Sequence, residues 1–147
     1  MKNLLFIFML FTGFAAQSQI HNPVKWSYAA KKVNDKEAVI FLKATMQPGW
    51  NIYSQNVADG GPVATSFKFT PSKAYVLNGK TIEPKPQTKF EKTFDMDVTY
   101  FQNSVVFQQK VKLQAKDAVV KGVLEYMACN DKQCLPPKEV EFSVSIK

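Results

Sequence analysis

The clearest pattern along the chain is an alternation of apolar and polar residues. Over 139–146 it reads EVEFSVSI, with Val140, Phe142, Val144 and Ile146 on one face and polar residues on the other. A period of two marks a half-buried strand of an antiparallel sheet. The same period puts Val105, Phe107, Val111 and Leu113 on one face of a second strand, opposite Gln108, Lys110 and Lys112. Residues 38–46 (AVIFLKATM) are denser in apolar β-formers and read as a central strand. Residues 66–70 and 122–128 complete the predicted set. Turn chemistry separates these runs: Asn34-Asp35, Pro48-Gly49, Asp59-Gly60-Gly61-Pro62, Asn78-Gly79, and Pro84 with Pro86. No stretch sustains a 3.6-residue apolar period between capping residues. The pattern therefore predicts an all-β chain, an immunoglobulin-like antiparallel β-sandwich in a single domain. Residues 80–97 are the least strand-like and are predicted to form a long functional loop.

The amino terminus departs from this pattern. Residues 1–18, MKNLLFIFMLFTGFAAQS, join one Lys to an apolar run from Leu4 to Phe11 and end on small residues. That is the layout of a secretory signal peptide cleaved after Ser18. The run is short for a bilayer span, and Thr12 and Gly13 interrupt it. Residues 19–147 are thus expected as one exported, soluble domain with no stable membrane insertion, where disulfides can persist. About 129 residues suffice for one core and not for two.

Charge narrows the function classes. Nineteen cations lose Lys2 with the leader, so eighteen face twelve acidic residues, a net of +6. All of them are Lys, and recognition of phosphate or guanine leans on Arg, so no nucleic-acid partner is expected. The lysines alternate with apolar residues, as in Lys110-Val111-Lys112-Leu113, which suits solvated strand faces and edges.

The two cysteines carry the candidate chemistry. Cys129 and Cys134 stand in ACNDKQCLPP, at the connection between the strands of 122–128 and 139–146. As a staple the pair is weak: closing a ring of about six residues contributes roughly 2 kcal/mol. As a redox pair it has an advantage, because the reduced thiols stay close and can re-form the bond without unfolding. Pro136 and Pro137 cannot donate backbone hydrogen bonds and keep the second sulfur approachable. A metal clip is the third reading. The sole histidine, His21, falls in a mature terminus expected to be disordered, and no second cysteine pair completes a zinc site. Copper(I) would suit Cys129, Cys134 and Met127, but both thiols would have to stay reduced in an oxidising compartment. No metal and no other cofactor is expected. Nor does a Gly-x-Ser-x-Gly or phosphate loop point to hydrolysis.

These residues also carry a resemblance. Tyr126-Met127-Ala128-Cys129, a short spacer, then Cys134-Leu135-Pro136-Pro137 and Lys138-Glu139-Val140 resemble the amino-terminal periplasmic domain of the thiol:disulfide interchange protein DsbD. The stretch from Gln47 to Gln55 is similar to that family's Gly-aromatic-x-Leu-Tyr segment, and Lys92 to Tyr100 to its cap-loop region and following strand. The resemblance implies an immunoglobulin-like sandwich in the periplasm. Its cysteine pair would take electrons from a thioredoxin-like domain and pass them to oxidised exported proteins, as part of a protein-disulfide reductase. It implies that Cys134 attacks and Cys129 resolves, without a cofactor. It further implies a shielding aromatic at Phe94, or else Phe90, with Tyr53 and the acidic Glu91 or Asp95 near the sulfurs.

Two departures bear on this. The spacer of four residues is one shorter than in the best-known member. The domain is expected to work apart from the family's membrane segment and carboxy-terminal thioredoxin-like domain, with a separate membrane electron-transfer protein as donor. The competing reading is a non-catalytic exported interaction module with a structural hairpin disulfide.

Overall fold

The computed structural model describes residues 21–147. The expected signal peptide therefore lies outside the described residues. Eleven strands, and no helix among the described residues, form three antiparallel sheets of an immunoglobulin-like β-sandwich. The strands are β1 (Val24–Asn34), β2 (Glu37–Met46), β3 (Asn51–Tyr53), β4 (Ser66–Phe69), β5 (Tyr75–Leu77), β6 (Gln87–Glu91), β7 (Met96–Gln102), β8 (Ser104–Leu113), β9 (Ala118–Tyr126), β10 (Ala128–Cys129) and β11 (Lys138–Ile146). The first sheet runs β1-β2-β8-β5, the second β10-β3-β7-β6 and the third β11-β9-β4.

The first and third sheets supply most of one core. Ile40 and Leu42 of β2, Phe107 and Val111 of β8, Val120 and Leu124 of β9 and Phe142 and Val144 of β11 all enter it. Phe107, Val111, Phe142 and Val144 are alternating positions that the sequence pattern marks, so there periodicity and burial agree, whereas Val120 lies before the strand expected over 122–128 because β9 starts at Ala118. β1 is not among the predicted strands, although Trp26, Tyr28 and Ala30 alternate along it and pack on this core.

The second sheet is built where strands change partners. β9 pairs with β11 up to Tyr126 opposite Lys138, and two residues later Ala128 pairs with Ile52 of β3. A turn held by the Trp50 amide donating to the Gln47 carbonyl at 3.0 Å carries β2 into β3, with Gly49 at φ 82°. That left-handed conformation is open to glycine at no steric cost. Asn103, at φ 64°, turns β7 into β8 while its carbonyl accepts from the Met46 amide at 2.8 Å. One face of this small sheet, with Ile52, Phe101 and Ala128, joins the main core. The other face is free to build something else.

The expected long loop over 80–97 is corrected by the structure. Residues Gln87–Glu91 form β6, and only Lys92 to Asp95 turn the chain into β7. β6 is an edge strand with one partner, so it needs few apolar residues, and its Lys and Thr obscure the pattern.

Gly122 marks a close approach. A Cβ there would collide with the Lys68 carbonyl and come within 2.6 Å of the Phe142 ring, which lies across it from the paired strand. The carbonyl belongs to the neighbouring strand and cannot swing aside. Gly122→Ala is expected to lower unfolding free energy by about 1–3 kcal/mol, read as a reduced urea midpoint.

Candidate functional site

Cys129 and Cys134 form a disulfide across five positions of sequence, with Cα atoms 4.0 Å apart. The loop between them is closed by its own hydrogen bonds. The Asn130 amide donates to the Gln133 carbonyl at 2.9 Å, and the Asn130 side-chain oxygen accepts from the amides of Lys132 and Gln133. Beyond the second cysteine, the Leu135 amide donates to the Ala128 carbonyl at 2.8 Å. Hydrogen bonds thus hold the hairpin alongside the sulfur–sulfur bond. Pro136 and Pro137 are exposed on its outer side.

The two sulfurs have different surroundings. Cys129 is 0% exposed, whereas Cys134 is half-buried. Cys129 opposes Asn51 in the β10–β3 ladder, and Tyr53 follows two positions on. Tyr53 pairs with Tyr100, Lys89 with Val98 and Glu91 with Met96, so strict alternation brings all of these to the face of Cys129. Tyr53, Val98 and Cys129 form a small buried cluster, covered by Val57, Met96, Tyr100, Met127 and Cys134.

A polar network runs behind that cluster. The Tyr53 hydroxyl donates to Glu91 at 3.4 Å, and Glu91 forms an ion pair with Lys89 at 3.1 Å. Lys89 also donates to the Asn51 side-chain oxygen at 2.9 Å and stands 4.9 Å from the centre of the Tyr100 ring. Glu83 secures the exit of β3: its carboxylate accepts from the Ser54 hydroxyl and, at 2.9 Å, from the Gln55 amide.

Burial pushes the Tyr53 phenol up to about 12; the Asn51 amide opposes this and the Glu91 carboxylate adds to it. Tyr53 is thus a neutral donor at ordinary pH. A phenol held protonated in the fold and free to ionise near 10 when unfolded contributes stability that is complete below pH 10. That contribution is lost as pH rises towards 12. Tyr28, Tyr75 and Tyr126 are raised too, chiefly by burial, and act in the same sense. Urea unfolding above pH 10 is expected to show this loss, and Tyr53→Phe to lessen its slope.

The other expected site residues are placed as follows. Glu91 lies on the cysteine face and touches Tyr53. Phe90 lies on the opposite face of β6, paired with Asp97, and is 57% exposed. Phe94 is half-buried in the β6–β7 turn, outside the set that covers Cys129. Asp95 closes the same turn at φ 52°, a conformation Asp tolerates, and is exposed. His21, expected in a disordered terminus, instead packs its ring 5.0 Å from that of Trp50. Asn51, Lys89, Val98 and Met96 are additions that the sequence reading misses. Asn51 and Tyr53 at i and i+2, and Lys89 and Glu91 likewise, are the available signal once both segments are strands.

Among the described residues no helix is long and apolar enough to cross a membrane, and no cluster of three His, Cys, Asp or Glu side chains has metal-site geometry.

Comparison with known proteins adds to this geometry. The family model described as thiol:disulfide interchange protein DsbD, N-terminal, matches residues 21–146. None of the curated proteins matches the chain. The N-terminal periplasmic domain of ScsB from Proteus mirabilis aligns with a TM-score of 0.61 at 21% identity, over 86% of this chain and 47% of that one. This chain thus spans about half the length of that relative. The reduced form of the Neisseria meningitidis DsbD N-terminal domain gives a TM-score of 0.51 at 19% identity, over 80% of this chain and 83% of that one. A chain from the complex between the DsbD N-terminal and PilB N-terminal domains of the same organism gives 0.55 at 18% identity, over 85% and 87%. These likenesses establish a shared fold.

Proposed function

The chain belongs to the DsbD N-terminal domain family of thiol–disulfide exchange modules, and from that premise we propose that Cys134 and Cys129 shuttle electrons in the periplasm. The donor is a thioredoxin-like domain or a membrane electron-transfer protein, and the acceptors are oxidised exported proteins. The observation that carries this reading is the asymmetry of the pair, one cysteine fully buried and the other only partly, on a hairpin with hydrogen bonds of its own. Exchange needs in-line access to one disulfide sulfur, and Cys134 is the sulfur that offers it.

In the first step a donor thiolate attacks Cys134 and Cys129 leaves. Running in reverse, the Cys134 thiolate attacks an acceptor disulfide and Cys129 resolves the mixed disulfide. Tyr53 keeps Glu91 engaged beside the pair. Phe94, on the turn between the residues Glu91 and Met96 that flank the site, is our candidate for the outer shield, ahead of the outward-facing Phe90.

Mixed with a reduced thioredoxin-like domain, the oxidised protein is expected to become a dithiol as the donor is oxidised in equal amount. Mass spectrometry after thiol alkylation reads both changes. A disulfide that stays closed while the donor stays reduced would favour the staple of an interaction module.

A further inference from the structure

Beside the disulfide lies a buried amide whose donor has no acceptor. Asn51 is 5% exposed, and among the described residues nothing accepts a hydrogen bond from its Nδ2. The orientation of this amide is fixed by Lys89. An ammonium can only donate, so the atom 2.9 Å from Lys89 Nζ is the oxygen, and Nδ2 points away from it. A buried donor without a partner is unfavourable, and such groups are rare. Directly opposite Asn51 in the ladder is Cys129, and opposed side chains share a face at close range.

We propose that Asn51, oriented by Lys89, donates a hydrogen bond to the Cys129 sulfur when the disulfide opens. This rests on the reading in which Cys134 is attacked. A partner thiolate bonds to Cys134 Sγ, the Cys129–Cys134 bond breaks, and the bonding pair departs on Cys129 Sγ. The partner's second thiol then attacks its own first sulfur and releases Cys134. Two electrons pass from the partner dithiol to this disulfide, and the two thiol protons end on Cys129 and Cys134. In the first step negative charge develops on a sulfur that is 0% exposed. Without a donor aimed at it, that leaving group would be poor, because a thiol leaves faster the better its thiolate is stabilised. The titratable groups on this face are Tyr53 from β3, Lys89 and Glu91 from β6, Tyr100 from β7, and Cys134 itself. The Tyr53 hydroxyl is directed at Glu91, and Lys89 offsets the Glu91 charge at 3.1 Å. The Asn51 amide faces the Tyr53 oxygen closely enough to oppose the rise of that phenol, but makes no hydrogen bond with it, and so is the donor left over.

Cys134→Ser leaves Cys129 as a single thiol whose ionisation can be followed by the ultraviolet absorbance of the thiolate and by alkylation rate against pH. Asn51→Leu in that background is expected to raise the Cys129 midpoint by about one pH unit or more. Lys89→Met should shift it in the same direction, and the double variant should go no further than Asn51→Leu, because Lys89 acts through the amide. With both cysteines present, reduction by dithiothreitol should slow by about tenfold. Unchanged midpoints would overturn the proposal, and additive shifts would overturn the orienting role of Lys89. Should Asn51→Leu not fold, Asn51→Ala removes the same donor with a smaller side chain and is expected to raise the midpoint in the same way, an unchanged midpoint again overturning the proposal. Failure of the unsubstituted protein to react with dithiothreitol would count against the exchange reading instead.

Discussion

Cys129→Ser is expected to accumulate a mixed disulfide with an oxidised thioredoxin-like protein, whereas Cys134→Ser accumulates at least about tenfold less. The reason is accessibility rather than intrinsic reactivity. Cys134 is half-buried next to exposed prolines, while Cys129 is enclosed by Tyr53, Val98, Met96 and Val57. On the proposed roles, a protein-sized disulfide meets the less buried Cys134. Once Cys129 is replaced, nothing resolves the adduct and it persists through non-reducing electrophoresis. The hairpin survives either substitution because the bonds from Asn130 and Leu135 do not involve sulfur. Equal trapping by both variants would contradict the assignment of roles.

The largest loss of stability is expected at Phe107. Its ring is 0% exposed and lies 5.0 Å from that of Phe67, 5.8 Å from that of Phe101 and 6.1 Å from that of Trp26. Those partners come from β4, β7 and β1, so this one side chain on β8 joins all three sheets. Phe107→Ala removes the contacts and leaves a cavity that three sheets cannot close together. A cost of about 3–5 kcal/mol follows, or a fall in Tm of about 10–20 °C by calorimetry. Because Phe101 and Val98 share β7, alkylation of Cys129 after reduction should also speed up. A Tm change of only a few degrees would show that the sheets are held together elsewhere.

Of the long strands, β2, β8 and β11 are legible in the sequence because each buries one face along its length, whereas β1, whose inward side chains stay mostly half-buried, is not. Phe142, Val144 and Ile146 declare β11, and Phe107, Val111 and Leu113 declare β8, from alternation alone. The place of the cysteine hairpin follows from lying between two such strands. The second sheet is largely hidden. β3 and β10 have three and two residues, too few for a period, and exist only because long strands change partners at Met46 and Met127. β6 is obscured by its exposed edge. The site suffers accordingly: Tyr53 and Glu91 can be named from a family likeness, but Lys89 and Asn51 cannot. Their importance arises from cross-strand register, which places an edge lysine over the Tyr100 ring and against a buried amide. No local sequence signal encodes that arrangement.

The central claim is that this disulfide opens and closes while the three-sheet body stays intact. A glutathione redox titration followed simultaneously by thiol content and near-ultraviolet circular dichroism tests it most directly. The expected result is a midpoint above about −300 mV with the aromatic signal retained throughout. Loss of that signal in step with reduction, or a bond still closed below about −300 mV, would contradict it.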